Sequence, residues 1–457
     1  MGVIQVQGDR LVRDGQPVVL RGVGLGGWMN MENFITGYPG TESQHRAAVR
    51  AALGEEGYRR FFDRFLDVFF GDADAAYLAS LGLNCVRVPF HYHHFESDQA
   101  PFELRPEGFA LLDRLVDRCA RHGLYTVLDL HALPGYQNQG WHSDNPTNKA
   151  FFWQHRHFQD RVVHLWEALA AHYTGNEWVA GYNPVNEPAD PSGEVIVPFY
   201  RRLAAAIRAA DPDHVLFLDG NTYSTDFSGF GDPMPNTVYT AHDYAYAGLI
   251  EGGRYPGEFQ GEYVDRAALE KQFLAHTAYM RDTGTPIWIG EFGPVYTGDP
   301  EIDESRYKLL ADQLEIYAAH GASWSIWTYK DIGLQGLVYA APDSPYLRRI
   351  APLLAKKARL GVDNWGSRDT GVRHLLEPIE RTFAEEFPDF DPYPFGVRHY
   401  VHGLVRHILL AEAMSGEFGK YLAGLDPEQA ERLADSFAFE SCQQRTGLAE
   451  VLAAAAR

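Results

Sequence analysis

Short apolar runs rich in β-branched and aromatic residues recur along the first three-quarters of the chain, and most end in polar side chains. They are VVLRGVG (18–24), LNCVRVPF (83–90), LYTVLDLHA (124–132), WVAGYNPVNE (178–187), HVLFLDGN (214–221), TVYTAHDY (237–244), PIWIGEFG (286–293) and ASWSIWTY (322–329). Between them, residues 58–81, 106–122, 152–173, 194–210 and 306–320 carry apolar positions three and four apart, the helical spacing. This alternation specifies a parallel sheet with crossover helices. Eight such strands close into an α/β fold, the (β/α)8 TIM barrel. Pro184 falls inside the fourth run, where a missing N–H breaks a ladder bond, so that strand is expected to bulge or to end early.

Past the eighth run, residues 372–387, 395–414 and 427–437 again show helical periodicity. They are expected to supply the last barrel helix and additional C-terminal helices. The division read from this pattern is a catalytic barrel with a short N-terminal β segment over residues 1–395, and a helical extension packed on or near it over 396–457. The chain has no internal repeat, and its one low-complexity tract is the terminal run Ala453 to Ala456.

Charge narrows the partners. With 61 acidic against 40 basic residues, the formal net charge of −21 repels phosphate backbones and anionic lipid. Nucleic acid and membrane surfaces are therefore not expected as partners, and no apolar stretch approaches the ~18 residues of a membrane span. The start MGVIQVQGDR lacks the basic and apolar regions of a secretory signal, so the expected location is cytoplasmic, or secreted if a leader was trimmed. Cys85, Cys119 and Cys442 are too few and too scattered for a disulfide framework and read as free thiols. His91, His93 and His94 invite a metal reading, but no acidic partner at ligand spacing lies near them in sequence. They are expected to line the pocket wall, and neither metal nor cofactor is expected.

In a barrel enzyme, reactive groups stand at the carboxyl ends of strands. Six of the eight runs carry strongly polar or aromatic residues there: Arg87, His131, Asn186 with Glu187, His242 with Tyr244, Glu291, and Trp327 with Tyr329. Glu187 and Glu291, on the fourth and seventh strands, point into one mouth. Glycosidic bond cleavage needs such a pair, one carboxyl to protonate the departing oxygen and one to attack or stabilise the anomeric carbon.

Asn186-Glu187-Pro188 after the fourth run and Gly290-Glu291-Phe292-Gly293 at the seventh stand in order with VRVP (86–89), LDLHALPG (128–135), His242-Asp243-Tyr244 and WSIW (324–327). Over about residues 15–330 this arrangement resembles glycoside hydrolase family 5. The resemblance implies a retaining β-glycosidase with Glu187 as acid/base and Glu291 as nucleophile. It further implies that Asn186 binds the sugar 2-hydroxyl, that Arg87 and Tyr244 orient and ionise Glu291, and that His131 and His242 bond substrate hydroxyls or Glu187. Trp327 would floor the sugar site. RGVGLGGWMNMEN (21–33) and LHALPGYQN (130–138), with Asp144-Asn145, resemble the exo-β-1,3-glucanase and β-glucosidase branch, where the counterpart of Glu32 binds the terminal sugar. Gly24 replaces that branch's usual Asn, and Gln139 to Ser143 departs from its usual loop.

The expected substrate is a carbohydrate, cleaved from the chain end of short β-glucosides or related glycosides, because the long first, third and sixth loops favour a closed pocket. An endo-acting cellulase or mannanase, a β-mannosidase, a diglycosidase and a non-catalytic carbohydrate-binding barrel are the alternatives. Glycone, aglycone and oligomeric state stay open at this point.

Overall fold

A computed structural model describes residues 2–249, 254–362 and 369–457. Eight strands form a closed barrel: β1 (Arg21–Gly24), β2 (Cys85–His91), β3 (Tyr125–Ala132), β4 (Val179–Asn183), β5 (Val215–Asp219), β6 (Thr237–His242), β7 (Ile287–Glu291) and β8 (Ser323–Ile326). Each pairs in parallel with the next, and β8 pairs back onto β1. Apart from Arg21 and Tyr125, every residue in these strands is buried, which explains why the runs read as continuously apolar.

Irregularities in the ladders lie where side chains must be aimed. β4 ends at Asn183, one residue before Pro184, and its register against β3 shifts at Ala180. The β2–β3 register shifts at His131 and the β6–β7 register at Gly290, so His131 and Glu291 leave the rim at angles a regular strand would not give.

The outer helices include Pro106–Arg121, Arg156–Tyr173, Ile196–Ala210, Arg266–His276 and Pro300–Ala319. The helix expected over 58–81 is instead two, Glu42–Val68 and Asp72–Ser80, and the first bends at Gly54, whose φ of 68° is not helical. An antiparallel sheet of Gln5–Gln7, Arg10–Arg13 and Gln16–Val18 precedes the barrel. Ile4 and Leu11 from this segment join Leu20, Cys85, Val215, Phe217 and Trp288 in one cluster that closes the amino end of the barrel.

Beyond β8 come Pro345–Leu360, Arg373–Glu386, a continuous helical stretch over 396–422, then Pro427–Ala434 and Thr446–Ala455. The 396–422 stretch is α-helical at Gly396–His402, a π-helix at Gly403–Leu410 and α-helical again at Ala411–Leu422. Glu42–Val68 packs against Ala411–Leu422 and Pro427–Ala434 through Phe61, Phe65, Phe69 and Phe437, with Arg64 paired to Asp435. Thr446–Ala455 lies on Pro300–Ala319, and the Ala456 carbonyl accepts from Arg21 Nη1 at 3.3 Å. No helix of the described residues is long and apolar enough to cross a membrane.

Candidate active site

At the carboxyl end of the barrel a cavity of about 510 Å³ is lined by Glu32, His131, Glu187, His242, Tyr244, Glu291 and Trp327. The structure thus brings seven of the nine expected site residues to one surface. The other two, Arg87 and Asn186, are completely buried behind it, and their polar atoms hold neighbours. Arg87 donates from Nη1 to Glu291 Oε1 at 2.6 Å, from Nη2 to Asn186 Oδ1 at 2.6 Å and from Nε to Asn183 Oδ1 at 3.0 Å, with Asp129 Oδ2 at 3.1 Å. The Asn186 amide nitrogen lies 3.3 Å from His131 Nε2.

Glu291 is held from both sides, by Arg87 on Oε1 and by the Tyr244 hydroxyl, which donates to Oε2 at 2.9 Å. Burial together with the Glu291 and Glu187 charges pushes the Tyr244 phenol well above its ordinary value, so it stays a donor. Burial likewise holds His131 far below an ordinary histidine. As a neutral ring it donates from Nδ1 to Asp129 Oδ2 at 2.7 Å and accepts from Asn186. It lies parallel to Trp327, centroids 5.3 Å apart and 4° between planes.

Glu187 stands on strained backbone, with φ of 44° in a region non-glycine residues seldom occupy. Two bonds fix it there: its N–H donates to Asp219 Oδ2 at 2.9 Å and its carbonyl accepts from Asn138 Nδ2 at 2.9 Å. Its carboxylate sits between two imidazoles, His242 Nδ1 at 2.7 Å from Oε1 and His142 Nε2 at 3.0 Å from Oε2. Burial opposes the charge on Glu187, but the bonds from His142 and His242 outweigh it and bring the carboxyl below its usual range. Burial also works against charge on both histidines, and their carboxylate neighbours reverse it, so both rise above 6.5. Single atoms of Glu187, His242 and Glu291 all lie within 4.8 Å of one another.

Glu32 caps the short helix Asn33–Thr36 and receives Trp141 Nε1 on Oε2 at 3.3 Å. Burial, with the Glu291 and Glu187 charges adding to it, pushes its carboxyl up to about 8. Trp327 is seated by two glycines: a Cβ at Gly24 would come within 2.5 Å of the indole, as would one at Gly26. A side chain at Gly24 has no room while Trp327 occupies this position.

His91, His93 and His94 do not line the cavity, contrary to expectation. β2 ends at His91, and Tyr92–His94 winds into a single 3-10 turn that carries the rings outward. His91 pairs with Asp144 at 3.2 Å and stacks on His93, so these rings hold loops together. With Asp144 supplying a carboxylate, His91 and His93 are one of two histidine–carboxylate groups among the described residues that bring ligand atoms together; the other is Glu187, His242 and Glu291.

Sequence reasoning missed several lining residues. Trp141 and His142 come from the non-standard loop after β3, whose departure from the family pattern was their only signal. Tyr223 follows β5 on backbone with φ of 58°. Phe395, His399 and His407 come from the C-terminal helical stretch. Asp129 and Asp219, on β3 and β5, are buried supports that strand-end spacing could have found. Burial pushes Asp129 up to about 6, even with Arg87 beside it.

Comparison with known proteins identifies the family. The family model described as cellulase (glycosyl hydrolase family 5) matches residues 70–333. A beta-xylosidase of Phanerodontia chrysosporium is 49% identical over 468 residues, covering 99% of this chain and 98% of its own. A probable glucan 1,3-beta-glucosidase A of Aspergillus fumigatus is 26% identical, covering 70% of this chain and 84% of its own. The crystal structure of rutinosidase from Aspergillus niger shares the fold at a TM-score of 0.51 and 17% identity, covering 70% of this chain and 92% of that one. This chain belongs to glycosyl hydrolase family 5 and is a glycosidase.

Proposed function

We propose that the protein is a retaining β-glycosidase that removes the terminal sugar of short β-glycosides, with Glu187 as acid/base and Glu291 as nucleophile. The separation of these two carboxylates carries the reading. Each places an oxygen within 4.8 Å of the other. Double displacement uses carboxyls ~5 Å apart, whereas an inverting pair stands ~6.5–9.5 Å apart to admit a water.

The environments divide the labour. Glu291, gripped by Arg87 and Tyr244, is oriented as an attacking anion that needs no proton. Glu187 lies between His142 and His242, each within hydrogen-bond reach of one of its oxygens, the arrangement of a residue that gives up a proton and then takes one back. Asn186, fully buried against Arg87 and His131, serves to position those two side chains. Cleavage of β-xylosides is favoured by the beta-xylosidase relative at 49% identity over nearly the whole chain. The β-glucoside reading draws on the glucan 1,3-beta-glucosidase relatives at 26%.

Glu187→Ala with azide tests the mechanism. Dinitrophenyl β-xyloside, whose leaving group needs no protonation, should still form the glycosyl-enzyme, while alkyl or sugar leaving groups should lose several orders of magnitude. Azide should restore turnover and yield the β-glycosyl azide. An α-azide, or equal losses for good and poor leaving groups, would remove Glu187 from the acid/base role.

A further inference from the structure

The helical stretch 396–422 lies outside the region that the family model matches, yet Phe395, His399, Gly403, His407 and Ile408 line the cavity. Its π-helical segment, Gly403–Leu410, is the part that crosses the pocket. π-Turns are rare and concentrate at functional sites, since the extra residue re-aims side chains that a regular helix would turn away. Gly403 lets the segment come close: a Cβ there would stand 3.0 Å from Oδ1 of Asn148, another lining residue.

His407 is the polar group this segment delivers. Its ring lies 5.0 Å from that of Trp141, whose indole N–H is bonded to Glu32. Although the Val362 carbonyl faces the ring, neither ring nitrogen completes a hydrogen bond among the described residues, and both are shielded from solvent. Buried polar atoms almost always have a partner, and a half-turn of the ring exchanges its carbon and nitrogen positions, so an imidazole on the cavity wall with neither nitrogen fully bonded can turn one toward a ligand.

The contacts say which end of the substrate that is. The leaving group must lie beside Glu187, where Tyr223 and Phe395 stand with rings 5.3 Å apart. The sugar being cleaved must sit against Glu291, whose charge is felt by His131 and Glu32. There Trp327, His131, Glu32, Trp141 and His407 follow one another in contact.

We propose that the 396–422 helix closes the glycone end of the pocket, and that His407 is a substrate-binding residue that hydrogen-bonds a hydroxyl of the terminal sugar opposite Glu32. This rests on the glycosidase reading above and names the device that restricts it to chain ends. The ligand class is a neutral pyranose with free hydroxyls at its non-reducing end. A chain extended past that end would meet the helix.

The test is competitive inhibition by the free monosaccharide, xylose and glucose in turn, alongside kcat/KM for aryl β-xyloside and aryl β-glucoside. His407→Phe keeps the ring contact with Trp141 and removes the hydrogen bonds; His407→Gln restores one. For His407→Phe, the inhibition constant of the better monosaccharide should rise about tenfold, with KM rising in step and kcat changing less. His407→Gln should recover part of the loss, and thermal stability should stay near wild type. An inhibition constant within twofold of wild type in both variants would overturn the proposal, as would a kcat loss matched by a lower melting temperature with KM unmoved. If His407→Phe fails to fold, the His407→Gln constant alone decides, between a measurable weakening and none. Failure of the glycosidase reading would show separately, as activity retained by Glu187 and Glu291 variants.

Discussion

Replacing Glu32 with glutamine should stabilise the protein at alkaline pH and do little near pH 5. Glu32 is only 5% exposed; Trp141 Nε1 stands at 3.3 Å and His131 Nε2 at 3.8 Å. Burial is the main reason its carboxyl is pushed from 4.5 up to about 8, and the Glu291 and Glu187 charges add to it while His142 opposes them. Between those two values the folded protein keeps a proton that the unfolded chain has released, so stability falls as pH rises, by ~1.4 kcal/mol per unit. Over the interval 8 − 4.5 = 3.5 units, the sum is about 5 kcal/mol. Allowing for relaxation and water entry around the new charge, about 3–5 kcal/mol is expected. Glutamine mimics the protonated acid and carries no such penalty. Urea unfolding of wild type and Glu32→Gln at a series of pH values from about 5 to 9 isolates the difference, because groups common to both proteins cancel. The stability gap in favour of Glu32→Gln should open through this range and level off above pH 8. A gap independent of pH would refute the reasoning, since it would mean Glu32 is already ionised in the folded pocket.

His142→Gln should show the opposite trend. Burial lowers the proton affinity of His142, but its bond to Glu187 and the charges of Glu187, Glu32 and Glu291 raise it above 6.5. Its stabilisation is complete below the unfolded value and is lost as pH rises through the folded one, so the deficit of His142→Gln should be greatest near pH 6 and shrink toward pH 9 in the same unfolding series. A deficit that grows with pH would contradict the His142–Glu187 ion pair. Gly24→Ala places a methyl within 2.5 Å of the Trp327 ring. It should cost about 1–3 kcal/mol by overpacking and lower kcat/KM by displacing that ring, read by thermal melting and indole fluorescence; unchanged kinetics would show that Trp327 does not floor the sugar site.

The barrel was legible because its strands are buried on both faces, and the candidate site because its residues sit where those strands end. Glu291 and His242 could be placed from strand order alone. Turn geometry was not legible to the same degree. His91 ends a strand whose limit could not be located to the residue, and the 3-10 turn that follows takes His93 and His94 off the line of that strand. The expected helix began only at residue 58, so the first half of Glu42–Val68 went unread, and with it the bend at Gly54. His407 lies in a recognisable helix, but periodicity reports which face is apolar and not what that face covers. Trp141 and His142 sit in irregular backbone, held by contacts such as Asn30 Nδ2 to the His142 carbonyl at 3.2 Å, and long-range bonds of this kind leave no local pattern.

The charges around the cavity constrain how acid catalysis begins. Burial raises Glu32, Asp129 and Asp219, even with His242 3.7 Å from Asp219, while the bonds from His142 and His242 draw Glu187 down. Opposed shifts among neighbouring carboxyls separate proton holders from proton acceptors. These shifts favour Glu187 as the anion, with the proton on the imidazoles beside it. For Glu187 to protonate a leaving oxygen, its grip on His142 has to loosen, because the 3.0 Å contact at Oε2 is what holds its proton affinity down on the open side. His242 is fixed by β6 and bonds Oε1, whereas His142 rides on a 3-10 turn in a loop. A glycosidic oxygen arriving at Oε2 would take the place of His142, which leaves its Nε2 proton on Oε2 as it withdraws, so that the Glu187 carboxyl holds a proton when one is needed. Under the proposed mechanism the loop after β3 therefore links substrate entry to proton delivery.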